Sequence, residues 1–244
     1  MIARPPVARA ARTRAFTLIE LMVVVGIIIV LLGGIGLAVA GRGGEGVALS
    51  NAQSTVASLV GAARAQAALH QTRSRLLVYA TLPTSSGDWT KYLRTLQVVR
   101  EDTLPNGTTA WVAAGQPVTL PAPICVVPRS PVPTNHLNPG VTWNNNAATG
   151  PVSTLTQLAG FSYRGQADPR APTQFFGEQG RSGTVLFIEF SADGTVTPNP
   201  TKIALATAVV AANAIPRFNN ASGVRGLHVR RSGAISLVND ATGF

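Results

Sequence analysis

Charge is scarce in this chain and lopsided in sign. Only 12% of its 244 residues are charged, 20 Lys and Arg against 10 Asp and Glu, and lysine occurs only at Lys91 and Lys202. Cysteine occurs once, as Cys125, which rules out an internal disulfide framework. An intermolecular bridge or a buried small hydrophobe remains, and the apolar run Pro123-Ile124-Cys125-Val126-Val127 favours the second. The three histidines, His70, His136 and His228, lack metal-ligand spacing, and there is no His-Glu-x-x-His or Cys-x-x-Cys pair. Gly180-Arg181-Ser182-Gly183 is not a nucleophile elbow, and a triad from His136, Asp168 and some serine has no spacing to recommend it. Asp193-Gly194 lacks the Asp-rich ladder of a calcium loop. Neither an enzyme nor a metal or cofactor protein is expected. The length suits one domain with a real core and an anchor, not two large domains.

What the chain does have is an uneven distribution of apolar residues. Leu21 to Leu32 is apolar throughout but for Gly26, and the run extends through Gly33, Gly34 and Gly36 to Ala40. From Phe16 to Ala40 there is no proline and one charge, Glu20. About 20 helical residues rising 1.5 Å each cross a bilayer, so this stretch is long enough. Arg4, Arg9, Arg12 and Arg14 precede it, a positive flank that keeps the N-terminus cytoplasmic. Removing those arginines lowers the formal net charge from +10 to +6, so much of the basicity that suggests nucleic acid belongs to the leader.

A secretory signal peptide has its small-residue cleavage site after the apolar core. Here small Ala15 stands before it, and cutting there leaves the hydrophobic helix on the mature chain as an anchor. Glu20 is the residue a plain anchor does not need, because an acid at a helix centre in the bilayer costs about 2.5 to 3.5 kcal/mol. Cleavage after Ala15 creates an ammonium on Phe16, one turn from Glu20, which this carboxylate or a neighbouring subunit's can satisfy. The alternative is an acid in the first helical turn, favourable to the helix dipole.

Arg12-Thr13-Arg14-Ala15 followed by Phe16-Thr17-Leu18-Ile19-Glu20-Leu21-Met22-Val23-Val24 resembles the type IV prepilin motif. The resemblance implies that a membrane prepilin peptidase cuts between Ala15 and Phe16 and methylates the new Phe16 amine. It also implies that Glu20 guides insertion beside adjacent subunits. The family usually has glycine before the cut, where this chain has Ala15.

Beyond the anchor, Gly41-Arg42-Gly43-Gly44-Glu45-Gly46 is no phosphate loop, since no Lys-Ser or Lys-Thr follows. Glycine costs a helix up to about 1 kcal/mol per residue, so a flexible or locally melted helix segment is expected there. From Val47 the residues Ala52, Val56, Leu59, Val60, Ala63 and Ala67 recur at helical spacing, with Asn51, Gln53, Ser58, Arg64 and Gln66 opposite or flanking. Arg64, Arg73 and Arg75 read either as an interaction face or as a solvated helix face. Strand-like runs follow at 76–81, 92–100, 111–114, 124–127, 184–190, 202–210, 227–230 and 234–238. Asp193-Gly194 and Ser232-Gly233 are turn signals between them. From 105 to 183 long Pro- and Asn-rich loops are expected, whose aromatics Trp143, Phe161, Tyr163, Phe175 and Phe176 either pin loops to the sheet or form a recognition surface.

The helical segment with Ala62-Ala63-Arg64-Ala65-Gln66-Ala67, then Phe190-Ser191-Ala192-Asp193-Gly194, then 227–235, is similar to H-type minor pseudopilins of type II secretion and to FimT-like minor pilins. The expected fold is α+β and type IV pilin-like, a long transmembrane-to-amphipathic helix packed on an antiparallel β-sheet head. The expected parts are a leader at 1–15, a transmembrane helix at 16–40, a glycine-rich hinge and amphipathic helix at 41–82, and a β-rich extracytoplasmic head at 83–244. The resemblance implies a minor pseudopilin in the tip or priming complex, single-pass in the inner membrane with a periplasmic head. Its implied partners are other pseudopilins or pilins, the prepilin peptidase, the inner-membrane assembly platform and membrane lipid. Arg225, His228, Arg230 and Arg231 form the densest basic group outside the leader, either an anion-binding patch or a solvated strand face. FimT-like relatives are associated with DNA capture, so a DNA-touching minor pilin is the second reading. An anchored module that never polymerises is the third, and it leaves Ala15 and Glu20 unexplained.

Overall fold

The computed structural model describes residues 18–83, 89–104, 106–162, 175–176, 182–198, 201–209, 211 and 214–244, with side chains from residue 44 onward. The chain divides into two compact units, Met1–Gly44 and Glu45–Phe244. Helix α1 runs Leu18–His70. The glycine-rich stretch 41–46 is helical in it, so the melted alternative does not hold, because glycine lowers helix propensity without removing either backbone hydrogen-bonding group. Among the described residues no helix is long and apolar enough to cross a membrane. The side chains of the span expected at 16–40 lie outside the described residues.

In the second unit α1 is followed by strands β1 (Ser74–Tyr79), β2 (Thr95–Thr103), β3 (Thr109–Ala113), β4 (Val118–Thr119), β5 (Ile124–Val126) and β6 (Thr156–Ser162). Next come β7 (Ser182–Phe190), β8 (Val196–Thr197), β9 (Thr201–Val209), β10 (Arg217–Phe218), β11 (Val224–Val229) and β12 (Ile235–Val238). Among the described residues they form two antiparallel sheets. One has the order β3-β2-β1-β7-β6, with β4 on β2 and β8 on β7. The other has the order β10-β9-β11-β12, with β5 on β9. This is the α+β architecture expected, one helix packed on antiparallel sheet, and it is consistent with a pilin-like head. The eight strand runs read from the sequence are present within a few residues, and β6 lies inside the stretch expected to be loop.

The helical stripe packs as its spacing requires: Ala52, Val56, Val60, Ala63 and Ala67 are all fully buried. Their small size brings the sheet close to the helix, and Ser74 Oγ donates to the Ala63 carbonyl oxygen at 2.5 Å. Gln53, which the sequence placed opposite or beside the stripe, is buried instead. Its Nε2 donates to the carbonyl oxygens of Gly226 at 2.7 Å and Val238 at 2.8 Å, tying α1 to the end of the β11–β12 pair.

Strand alternation makes two cores from one sheet. Leu76, Val78, Leu186 and Ile188 face the main core with the helix, whereas Leu77, Tyr79 and Val185 join Phe161, Phe175 and Phe176 on the opposite face. Phe176 meets Tyr79 edge-on at 5.4 Å, and Phe161 meets Phe175 likewise. Trp143 is buried against Phe218. Those loop aromatics therefore pin loops to sheet; Tyr163 lies outside the described residues.

Candidate functional site

Ala15 and Phe16, the expected cleavage and methylation positions, lie outside the described residues. Glu20 belongs to α1, and its side chain is likewise outside them.

The segments that carried the narrower resemblance meet in space. At 191–195 the Asp193 carboxylate accepts from the Thr195 amide at 3.0 Å and its hydroxyl at 2.8 Å, and also from the Ser191 hydroxyl. These bonds, Ser191's foremost, hold the Asp193 carboxyl down at about 2. Gly194 takes φ +77° and Gly233 φ +75°, left-handed values that favour glycine at both turns. The Val196 amide donates to the Arg231 carbonyl oxygen at 3.0 Å and joins the two turns. Arg64 of α1 runs beneath them: a Cβ on Gly233 would lie 2.7 Å from its Cδ, and one on Gly194 3.4 Å from its Nε.

The four basic residues near the C-terminus are not a single face. Arg225 and His228 are three apart on β11, so alternation turns them to opposite sides. His228 lies across from Lys202 and Ser236, with its ring edge-on to Phe244. Burial and then the nearby Lys202 push its pKa down, and its Nε2 is buried without a hydrogen-bond partner. Arg230 and Arg231 are exposed at the turn and have no acidic partner among the described residues.

Arg73 and Arg75 do not share a helix face with Arg64, because the helix ends at His70, Arg73 lies in the connection and Arg75 in β1. Arg75 Nε donates to Glu189 at 2.6 Å, and its guanidinium lies 4.0 Å from the Trp111 ring and 4.3 Å from that of Phe187. Arg73 pairs with Glu101 at 2.6 Å, and that hydrogen bond is the main cause of the lowered Glu101 pKa. Register explains what sequence reading missed: Arg75 lies opposite both Val99 and Glu189, with Trp111 one strand further along.

Ala80, Leu82, Tyr92, Pro133, His136 and Thr184 help line a pocket of about 450 Å³. The Asn135 side-chain oxygen lies 2.9 Å from His136 Nδ1, which sets the tautomer, and the Tyr92 hydroxyl donates to Nε2 at 2.9 Å. Burial pushes Tyr92 up to about 12 and holds His136 below 6.5. Nearby Cys125 is fully buried, which pushes its thiol up to about 12. Among the described residues no three His, Cys, Asp or Glu side chains group as metal ligands.

His136 gives the head a pH response. With the folded value depressed, the unfolded chain binds the proton first as pH falls, so stability is full above 6.5 and declines below it until the folded value is passed. A thermal-melting series should show the midpoint dropping below 6.5, with a smaller drop in His136→Gln. His228, shifted in the same direction, retains part of the slope.

The comparisons bear on the leader. Residues 11–36 match the model of the prokaryotic N-terminal methylation motif. The match covers Ala15, Phe16 and Glu20, so the chain carries a type IV prepilin-like leader, a motif that implies processing by prepilin peptidase and assembly with other pilins and suggests membrane anchoring through the N-terminal segment. No curated protein and no solved structure matches the chain.

Proposed function

We propose that the chain is a minor pseudopilin, a structural subunit of the type II secretion pseudopilus that acts in the tip or priming complex for protein export. The methylation motif at 11–36 carries this reading. The α+β head supports it, as does the convergence of Arg64 with the Gly194 and Gly233 turns, since these are the segments similar to H-type minor pseudopilins. Ala15–Phe16 is the cleavage junction, Phe16 the methylated terminus and Glu20 the assembly residue. The head is periplasmic and the helix single-pass. A minor pilin of a type IV pilus is the second reading, favoured by the exposed Arg230 and Arg231 as anion contacts.

Mass spectrometry of the membrane-bound protein tests the processing step. The expected N-terminus is methylated Phe16. An intact Met1, or a terminus created by cutting after Ala40, overturns the reading. Co-purification with secretion pseudopilins, as opposed to pilus subunits, separates the two assemblies.

A further inference from the structure

We infer that the groove between α1 and the free edge of β12 receives an extended, acidic segment of a different protein subunit. The inference rests on the subunit role proposed above and names the partner's chemistry. The groove encloses about 490 Å³ and is lined by Gly61, Arg64, Ala65 and Ala68 on the helix, with Gly233, Ala234 and Ile235 facing them. On the helix wall Gly61, Ala65 and Ala68 are small and leave space, while the Arg64 side chain reaches across to the Gly233 turn. The other wall is a sheet edge: β12 pairs with β11 on one side and with no described strand on the other. Antiparallel pairing turns the backbone groups of alternate β12 residues away from β11, where an added strand can bond to them. Leu237, 57% exposed, lies on this same edge strand.

Charge selects the occupant. Among the described residues Glu101 and Glu189 are paired with Arg73 and Arg75, and Asp102 with Arg100. Asp193 and Asp240 are held by hydroxyls and amides of their own turns. Arg64 on the groove wall, and Arg230 and Arg231 on the turn that closes one end, have no acidic partner there. A second copy of the chain, still at +6 once the leader arginines are removed, has little acid to offer them. Duplex DNA is less suited, because these cations gather beside one turn, and Arg225 and His228 lie on opposite faces of β11, so no continuous basic stripe is formed.

The test uses the full chain in detergent micelles and a fluorescent peptide of alternating Glu and Val, long enough to run along β12, read by anisotropy. Binding is expected to saturate, to weaken with salt, and to fall about tenfold when Arg230 and Arg231 are both changed to Gln. Ala65→Trp fills the groove without altering charge and should give a comparable loss, whereas Ala62→Trp, on an exposed position outside it, should not. The double reversal Arg230→Glu with Arg231→Glu should bind a Lys-Val peptide in place of the acidic one. Absence of acidic-peptide binding overturns the inference, and so does unchanged affinity in Ala65→Trp, which would locate the peptide on the general basic surface. Duplex DNA that displaces the peptide and is itself blocked by Ala65→Trp overturns it in favour of nucleic acid. The mass of the Phe16 terminus is read on the same preparations. Correct processing without peptide binding sinks this inference alone; absent processing sinks the subunit reading.

Discussion

Gly226→Val is expected to destabilise the head by about 3 kcal/mol or more, since forcing side-chain atoms into filled space costs about 1–3 kcal/mol even where neighbours are flexible. Here two of the three nearest atoms are backbone. Gly226 sits on β11 between Ala204 of β9 and Val238 of β12. A Cβ there would collide with the Ile203 carbonyl oxygen, and would lie 2.7 Å from the ring of Phe244 and 3.1 Å from the Ala204 Cα. The Phe244 ring has room to turn, but the carbonyl belongs to the β9 ladder. Relief therefore requires β9 and β11 to part, which also strains the Gln53 bonds to Gly226 and Val238. Against a total stability of about 5–15 kcal/mol this is a large fraction. Urea unfolding of the full chain, followed by fluorescence of Trp89, Trp111 and Trp143, should show a much lower midpoint. Gly115→Ala, where a Cβ meets nothing within 4 Å, should leave it unchanged. A native midpoint in Gly226→Val would mean that the two strands separate at little cost.

The elements that sequence could disclose are those specified by local periodicity. The stripe from Ala52 to Ala67 repeats every three or four residues, and a sheet buries it. Asp193-Gly194 and Ser232-Gly233 announce turns because their glycines reach positive φ without strain. Long-range pairing is different in kind. Nothing local says that Gln53 reaches residues more than 170 positions away, so its place opposite or beside the stripe does not disclose a buried clamp. Arg75 was ambiguous for the same reason: its partners Glu189, Trp111 and Phe187 come from other strands, and only register brings them to it. β6 escaped notice because Thr156–Ser162 has a half-exposed pattern and a glycine at φ +71°, weak evidence for a strand unless its neighbour β7 is known. The leader is the opposite case. Its information lies in the order of charge, small residue, apolar run and one acid, all contiguous, and the methylation motif coincides with it.

Glu20→Val is expected to separate anchoring from assembly. For a plain anchor the substitution is harmless or favourable, because it removes a carboxylate whose cost, about 2.5 to 3.5 kcal/mol at the centre of a bilayer helix, is smaller but of the same sign in the first turn. For a subunit that uses Glu20 to receive a Phe16 ammonium, the same change leaves that ammonium unpaired in a low-dielectric setting. Truncating one member of a desolvated charge pair costs about 2–5 kcal/mol, which corresponds to more than tenfold in association. The two outcomes have opposite signs in two measurements on one variant. Membrane-fraction yield of Glu20→Val should equal or exceed that of the parent chain, while recovery in sheared or cross-linked filaments should fall at least about tenfold. Glu20→Gln, which keeps the shape and a hydrogen-bond acceptor but loses the charge, should fall between them. If filament recovery is unchanged in both variants, the acid serves the first turn of the helix through its dipole, worth about 0.3–1 kcal/mol, and the assembly role passes to other residues.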